Sequence, residues 1–122
     1  MLKRIKEEFH GPVIIIDRES KDFDYIIVDH YTPCLQIMNH LIDAHGYKDI
    51  AFLGGKEGHP HSIQRLKAYE DAMKSHGLAI REDRIFHGNY WYDTGDVFAK
   101  KLLENKDDMP EAIMCANEYM AI

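Results

Sequence analysis

Two charged side chains, Arg65 and Glu118, fall where a strand gives way to a helix, and each has something to offer a ligand. The run AIMCA at residues 112–116 is short and apolar, the pattern of a strand buried on both faces. Asn117 breaks it with a side chain suited to capping a helix. Glu118 then sits at the carboxyl end of a parallel strand, the edge at which open α/β sheets bind their ligands. Free backbone N–H groups at a helix start favour the ionised carboxylate, an acceptor for hydroxyl donors such as those of a sugar. Arg65 comes three residues after Ser62, which reads as the cap of a helix running to His76. In a first turn the macrodipole disfavours a cation by a few tenths to about 1 kcal/mol, so a ligand oxygen or a nearby carboxylate should compensate. A structural salt bridge and a ligand contact meet that demand equally well.

Other residues could join them. Tyr90, Trp91 and Tyr92 follow a strand end; aromatic faces pack on the apolar faces of sugars or bases, or close a core over the next helix. One ring is expected to face ligand and the others to pack. Asp17 and Asp29 each end a strand, as acidic turn residues commonly do. His59 lies in the glycine-rich loop GGKEGHPH at residues 54–61, where a solvated histidine is the ordinary reading. His59 and His61 with Glu57 resemble a metal-ligand cluster, but Pro60 stands between the histidines and no partner follows at zinc-site spacing. No metal and no cofactor are assigned on this basis. Gly54, Gly55 and Gly58 match neither a Walker loop nor the dinucleotide fingerprint. Cys34, near a helix start, is either a thiol of lowered pKa or a plain helix-face residue, and Cys115 is an inert strand residue. No nucleophile–base pair is evident, so no enzyme is expected.

The elements that must position these residues alternate. Leu2, Ile5 and Phe9 have helical spacing up to Gly11, PVIII at residues 12–16 is the strongest strand signal, and residues 25–28 form a second short run. Thr32 and Pro33 open a helix whose buried stripe is Leu35, Met38, Leu41 and Ile42. A strand over residues 49–53 precedes the glycine loop and the Ser62 helix, with Leu66, Tyr69 and Met73 inward and Gly77 closing it. A weaker strand covers residues 84–87, and a helix over residues 94–105 buries Val97, Phe98, Leu102 and Leu103. Residues 107–110 lead to the 112–116 strand, and a last helix begins at Tyr119. This order, α, β, β, α, β, α, β, α, β, α, predicts an α/β fold with a mostly parallel sheet and helices on both faces.

Composition narrows the function classes. In 122 residues, 45% apolar content suffices for a core, and 21 acidic against 15 scattered basic residues leave a net charge of −6 and no positive face for nucleic acid. No apolar run reaches membrane-spanning length, and the first eight residues are too polar for a signal peptide. Two distant cysteines fit a reducing cytoplasm. The chain stops one turn into an element with nothing yet to pack against, as a piece cut from a longer protein would.

Several blocks occur in sequence: PVIIIDR (12–18), VD (28–29), HLI (40–42), GYKDIAFLG (46–54), RLKAY (65–69), Ala72 with Gly77 and Leu78, and PEAIMCANEYMAI (110–122). Together these resemble the effector-binding domain of the LacI/GalR family, which has the fold of periplasmic sugar-binding proteins. In that fold two α/β lobes close over a small ligand, with three crossings between them. The resemblance implies that residues 1–29 end the first lobe and make the first crossing, and that residues 30–122 are most of the second lobe. It implies a sugar or similar small polar effector, a homodimer, and DNA binding only through a domain outside this stretch. The same sensor fold also serves AraC-type, diguanylate cyclase (GGDEF) and kinase modules. The family's arginine in the RLKAY motif contacts ligand, which favours that role for Arg65. Tyr90 aligns best with a pocket position, Asp17 and Asp29 fall near the cleft, and His59 stands where some members offer a ligand contact. One departure matters: the family usually has aspartate where this chain has Glu118, and one more methylene pushes the carboxylate forward by about 1.5 Å. The rival readings are a small doubly wound enzyme and a sensor fold kept only as an interaction scaffold.

Overall fold

The computed structural model describes residues 2–122, with side chains from Arg4 onward. Helix α1 (Leu2–Glu8) leads to strand β1 (Ile14–Ile16) and strand β2 (Asp24–Ile26), followed by α2 (Thr32–Asp43) and β3 (Ile50–Gly54). Then come α3 (Pro60–Ser75), β4 (Ile85–His87), α4 (Tyr92–Leu103) and β5 (Ala112–Cys115), with single 3-10 turns at Glu82–Arg84, Lys106–Asp108 and Glu118–Met120. The predicted order holds, except that the last element is a 3-10 turn. All strand pairings are parallel, in two sheets: β1 with β2, and a three-stranded sheet in the order β4-β3-β5.

Strand β3 is the centre of the core, and its alternation divides that core in two. Ile50 and Phe52 face α2 and α3, meeting Cys34, Met38, Ala68, Tyr69 and Met73. Ala51 and Leu53 face the other way, against Phe98 and Leu102 of α4 and against Ala116 and Met120. Helices therefore cover both faces, which is why β3 reads as one continuous apolar run. The buried Tyr69 hydroxyl donates to the Ile50 carbonyl at 2.9 Å. Burial pushes its pKa up to about 12.

The amino ends of the three strands are tied together by charge. Arg84 is buried and donates from Nε to Asp49 at 2.8 Å and from its second amino group to Asp49 and Asp108 at 2.6 and 2.8 Å. Arg81 adds bonds to Asp108 and Asp83. Asp49, Arg84 and Asp108 precede β3, β4 and β5, so the opposite, carboxyl edge of this sheet is the one left for chemistry.

Several expectations need correction. Helix α3 starts at Pro60, capped by His59, whose Nδ1 accepts from the His61 N–H; Ser62 is not the cap but a buried residue inside the helix. Arg65 is consequently in the second turn, beyond most of the macrodipole's reach, so the compensation argued from a first turn is not required. The start of α2 is served by Asp29, whose Oδ1 accepts from the N–H groups of Tyr31 and Thr32 at 2.9 and 3.0 Å. In α4 the buried face is Gly95, Phe98 and Leu102, while Val97 and Leu103 are exposed. Residues three and four apart share a stripe, and Val97 and Leu103 are each one position off it. Trp91 and Tyr92 are exposed rather than packed in the core. Ile14, Ile16 and Ile26 are exposed too, because among the described residues nothing packs over these side chains of the two-stranded sheet.

Candidate functional site

The site lies where the chain leaves β3, β4 and β5. After β3 it turns to α3 on one face, and after β4 to α4 on the other, so the two loops diverge and open a crevice between them. Tyr90 fills that crevice. Its backbone is left-handed, with φ +74°, and its ring lies so close over Gly55 that a Cβ there would be 1.9 Å from a ring carbon. The Tyr90 hydroxyl is 2.7 Å from the buried Ser62 hydroxyl, and its carbonyl accepts from the Asn117 amide at 2.9 Å. The Arg65 guanidinium stands 6.0 Å from the Tyr90 ring centre, and the His59 ring meets it edge-on at 5.7 Å.

Asn117 caps the final 3-10 turn as its sequence position predicts, accepting from the Met120 N–H at 3.2 Å. Glu118 is the first residue of that turn, exposed, and among the described residues its carboxylate makes no hydrogen bond. Arg65, in the second turn of α3, and Asn117, the neighbour of Glu118, thus both reach one tyrosine at the same edge of one sheet.

A second group adjoins the first. Asp17 ends β1 in a left-handed conformation, φ +62°, and its carboxylate lies 3.1 Å from His30 Nε2 and 3.0 Å from His61 Nε2. On the other side of its ring, His30 Nδ1 accepts from the Arg65 guanidinium at 3.1 Å. The His30 and His61 rings lie 4.1 Å apart, centre to centre. Partial burial pulls the Asp17 carboxyl upward, but the hydrogen bond from His30 leaves it below the usual carboxylate range. Burial lowers His61. Asp17, His59, His61 and Gln64 line a hollow of about 460 Å³; Arg65, Tyr90 and Glu118 are outside its lining, and Arg65 reaches this group through His30.

The predicted residues therefore divide. Arg65, Tyr90 and His59 come together, Asp17 joins them through His30, and Glu118 flanks them beyond Asn117. Asp29 stands apart at the start of α2, where hydrogen bonds from Thr32 lower its pKa. The Cys34 thiol is pushed up by burial, with Arg65 offsetting only part of this, contrary to a thiol activated by a helix start. Sequence reasoning missed His30 altogether and placed His61 with Glu57 rather than with Asp17. Only spatial proximity marks that trio.

All 122 residues match the family profile described as periplasmic binding proteins and sugar binding domain of LacI family. Among curated relatives, catabolite control protein A of Priestia megaterium is 34% identical over 98 residues, which is 80% of this chain and 29% of that protein. The transcriptional regulator AscG of Escherichia coli K12 is 33% identical over 113 residues, 91% of this chain and 33% of that protein. Among solved structures, a sugar-binding LacI-family transcriptional regulator from Escherichia coli complexed with phosphate superposes with a TM-score of 0.79 at 30% identity, covering 98% of this chain and 43% of that one. The chain spans about a third of the length of the curated relatives it matches.

Proposed function

The chain belongs to the family of periplasmic binding proteins and LacI-type sugar-binding domains, and from that premise we propose that it is part of the sensor of a transcriptional regulator that binds a sugar or a similar small polar effector. Residues 1–29 then end one lobe and make the first crossing, and residues 30–122 are most of the second lobe. The observation that carries the reading is the convergence on Tyr90 of the Arg65 and His59 side chains and of the Asn117 amide beside Glu118, at the carboxyl edge of a parallel sheet. The ring offers an apolar face to a sugar. Arg65 donates to a hydroxyl or an anionic group, Glu118 accepts from hydroxyls, and Asp17 and His59 border the hollow beside them. Phosphate in the related Escherichia coli regulator makes sugar phosphates part of the range to test. Binding favours one lobe arrangement over the other through differential affinity, and a DNA-reading module outside this stretch, paired as a homodimer in the cytoplasm, reports it. Among the described residues no helix is long and apolar enough to cross a membrane.

The test is titration calorimetry against monosaccharides, disaccharides and sugar phosphates. For the compound that binds, Glu118→Gln is expected to weaken affinity about tenfold, the loss of a charge-assisted hydrogen bond. Thermal stability should hardly move, because Glu118 is exposed. Equal affinity for variant and parent would sink the assignment of Glu118.

A further inference from the structure

We propose that Asp17, His30 and His61 form a binding site for a divalent transition-metal ion of the zinc class. One ligand atom from each lies within 4.8 Å of the others, and both imidazole Nε2 atoms approach the Asp17 carboxylate to 3.1 and 3.0 Å. A metal bound at about 2.0–2.2 Å holds neighbouring ligand atoms about 3 to 3.5 Å apart; both Asp17–imidazole distances already fit, and side-chain rotations of up to about 1 Å bring the two imidazole nitrogens into the same range. Two imidazoles and a carboxylate are the donor set that such ions take, with the remaining positions open to water or a ligand oxygen. The three side chains are 13–25% exposed, sheltered from bulk water yet open on one side, where Asp17 and His61 line the hollow. They come from the end of β1, the lead into α2 and the start of α3, so an ion would tie three separate elements together.

Arg65 gives the site a testable signature. Its N–H is donated to His30 Nδ1, which puts the His30 proton on Nε2, facing Asp17. A metal on Nε2 demands the opposite tautomer, with the proton on Nδ1 and facing Arg65. The ion and the Arg65–His30 hydrogen bond therefore exclude one another. Metal binding frees the guanidinium beside Tyr90; that consequence alone rests on the effector reading above, and the ion site stands without it.

The experiment is titration of the metal-stripped chain with Zn²⁺ by calorimetry and with Co²⁺ by visible absorption, with no effector present. One ion per chain is expected. His61→Ala and Asp17→Asn should each weaken binding by more than about tenfold, and Arg65→Met should tighten it, since it removes both a competing donor and a nearby positive charge. Circular dichroism of each variant separates loss of ligand from loss of fold. The comparison site is His40 with His45, whose Nε2 atoms are 3.2 Å apart and supply only two ligands. Absence of binding, binding that survives in folded His61→Ala, or binding abolished by His45→Ala would overturn the proposal.

Discussion

The packing of Tyr90 over Gly55 gives a prediction whose size can be worked from the structure. Gly55 is not in the left-handed region, so alanine is compatible with its backbone. The new Cβ, however, would stand 1.9 Å from the ring's Cζ, 2.1 Å from Cε1 and 2.4 Å from the hydroxyl oxygen. Reaching ordinary van der Waals contact requires the ring to retreat by about 1.5 Å. A move of that size breaks the 2.7 Å bond to Ser62 and leaves the Ser62 hydroxyl, on a residue only 5% exposed, without its partner. The unsatisfied hydroxyl costs about 1–3 kcal/mol, and the lost cation–π contact with Arg65 about 0.5–1 kcal/mol. Gly55→Ala should therefore destabilise the chain by about 2–3 kcal/mol in urea unfolding. In a Tyr90→Ala background the same change should be neutral or slightly stabilising, because the obstruction is gone and alanine restricts the unfolded chain. The cycle's coupling energy is then about 2 kcal/mol. Additive effects of the two substitutions would refute the reasoning.

Arg84→Met should cost about 3 kcal/mol in the same assay, because it leaves the Asp49 and Asp108 carboxylates facing each other with only Arg81 between them. The Arg81 hydrogen bond holds the Asp108 pKa below its ordinary 3.8, so its contribution is complete above that pH and is lost as pH falls through the lower folded value. Asp108→Asn should flatten that acid limb of the stability curve. His76 works in the opposite sense. Its bond to the Ala72 carbonyl, and beyond that the Asp43 carboxylate, raise its pKa above 6.5, so its contribution is complete below 6.5 and fades as pH rises through the folded value. Melting temperatures compared at about pH 5.5 and about pH 8.5 should show a steeper loss in the parent than in His76→Gln. Phe98→Ala, at 6% exposure, should cost about 3–5 kcal/mol, whereas Val97→Ala, at 65%, should cost less than about 0.5 kcal/mol.

By itself the sequence determined the alternation of strands and helices, the position of strand β3 and the capping role of Asn117. Each of these is written within a dozen neighbouring residues, as a run, a period or a single capping side chain. It also placed Tyr90 and Glu118 just past strand ends, the edge that a parallel sheet presents to ligands, whereas Arg65 lies one turn deeper in α3 than its spacing from Ser62 suggested. Tertiary structure decided the rest. Periodicity marks an apolar face without saying which neighbour covers it, so Val97 and Leu103 read like Phe98 and Leu102 until α4 is set against β3 and Met120. Asp17, His30 and His61 lie in three separate elements, and nothing local to any of them announces the other two. Their meeting depends on how β1, the lead into α2 and the start of α3 are brought together, and long-range packing alone supplies that information.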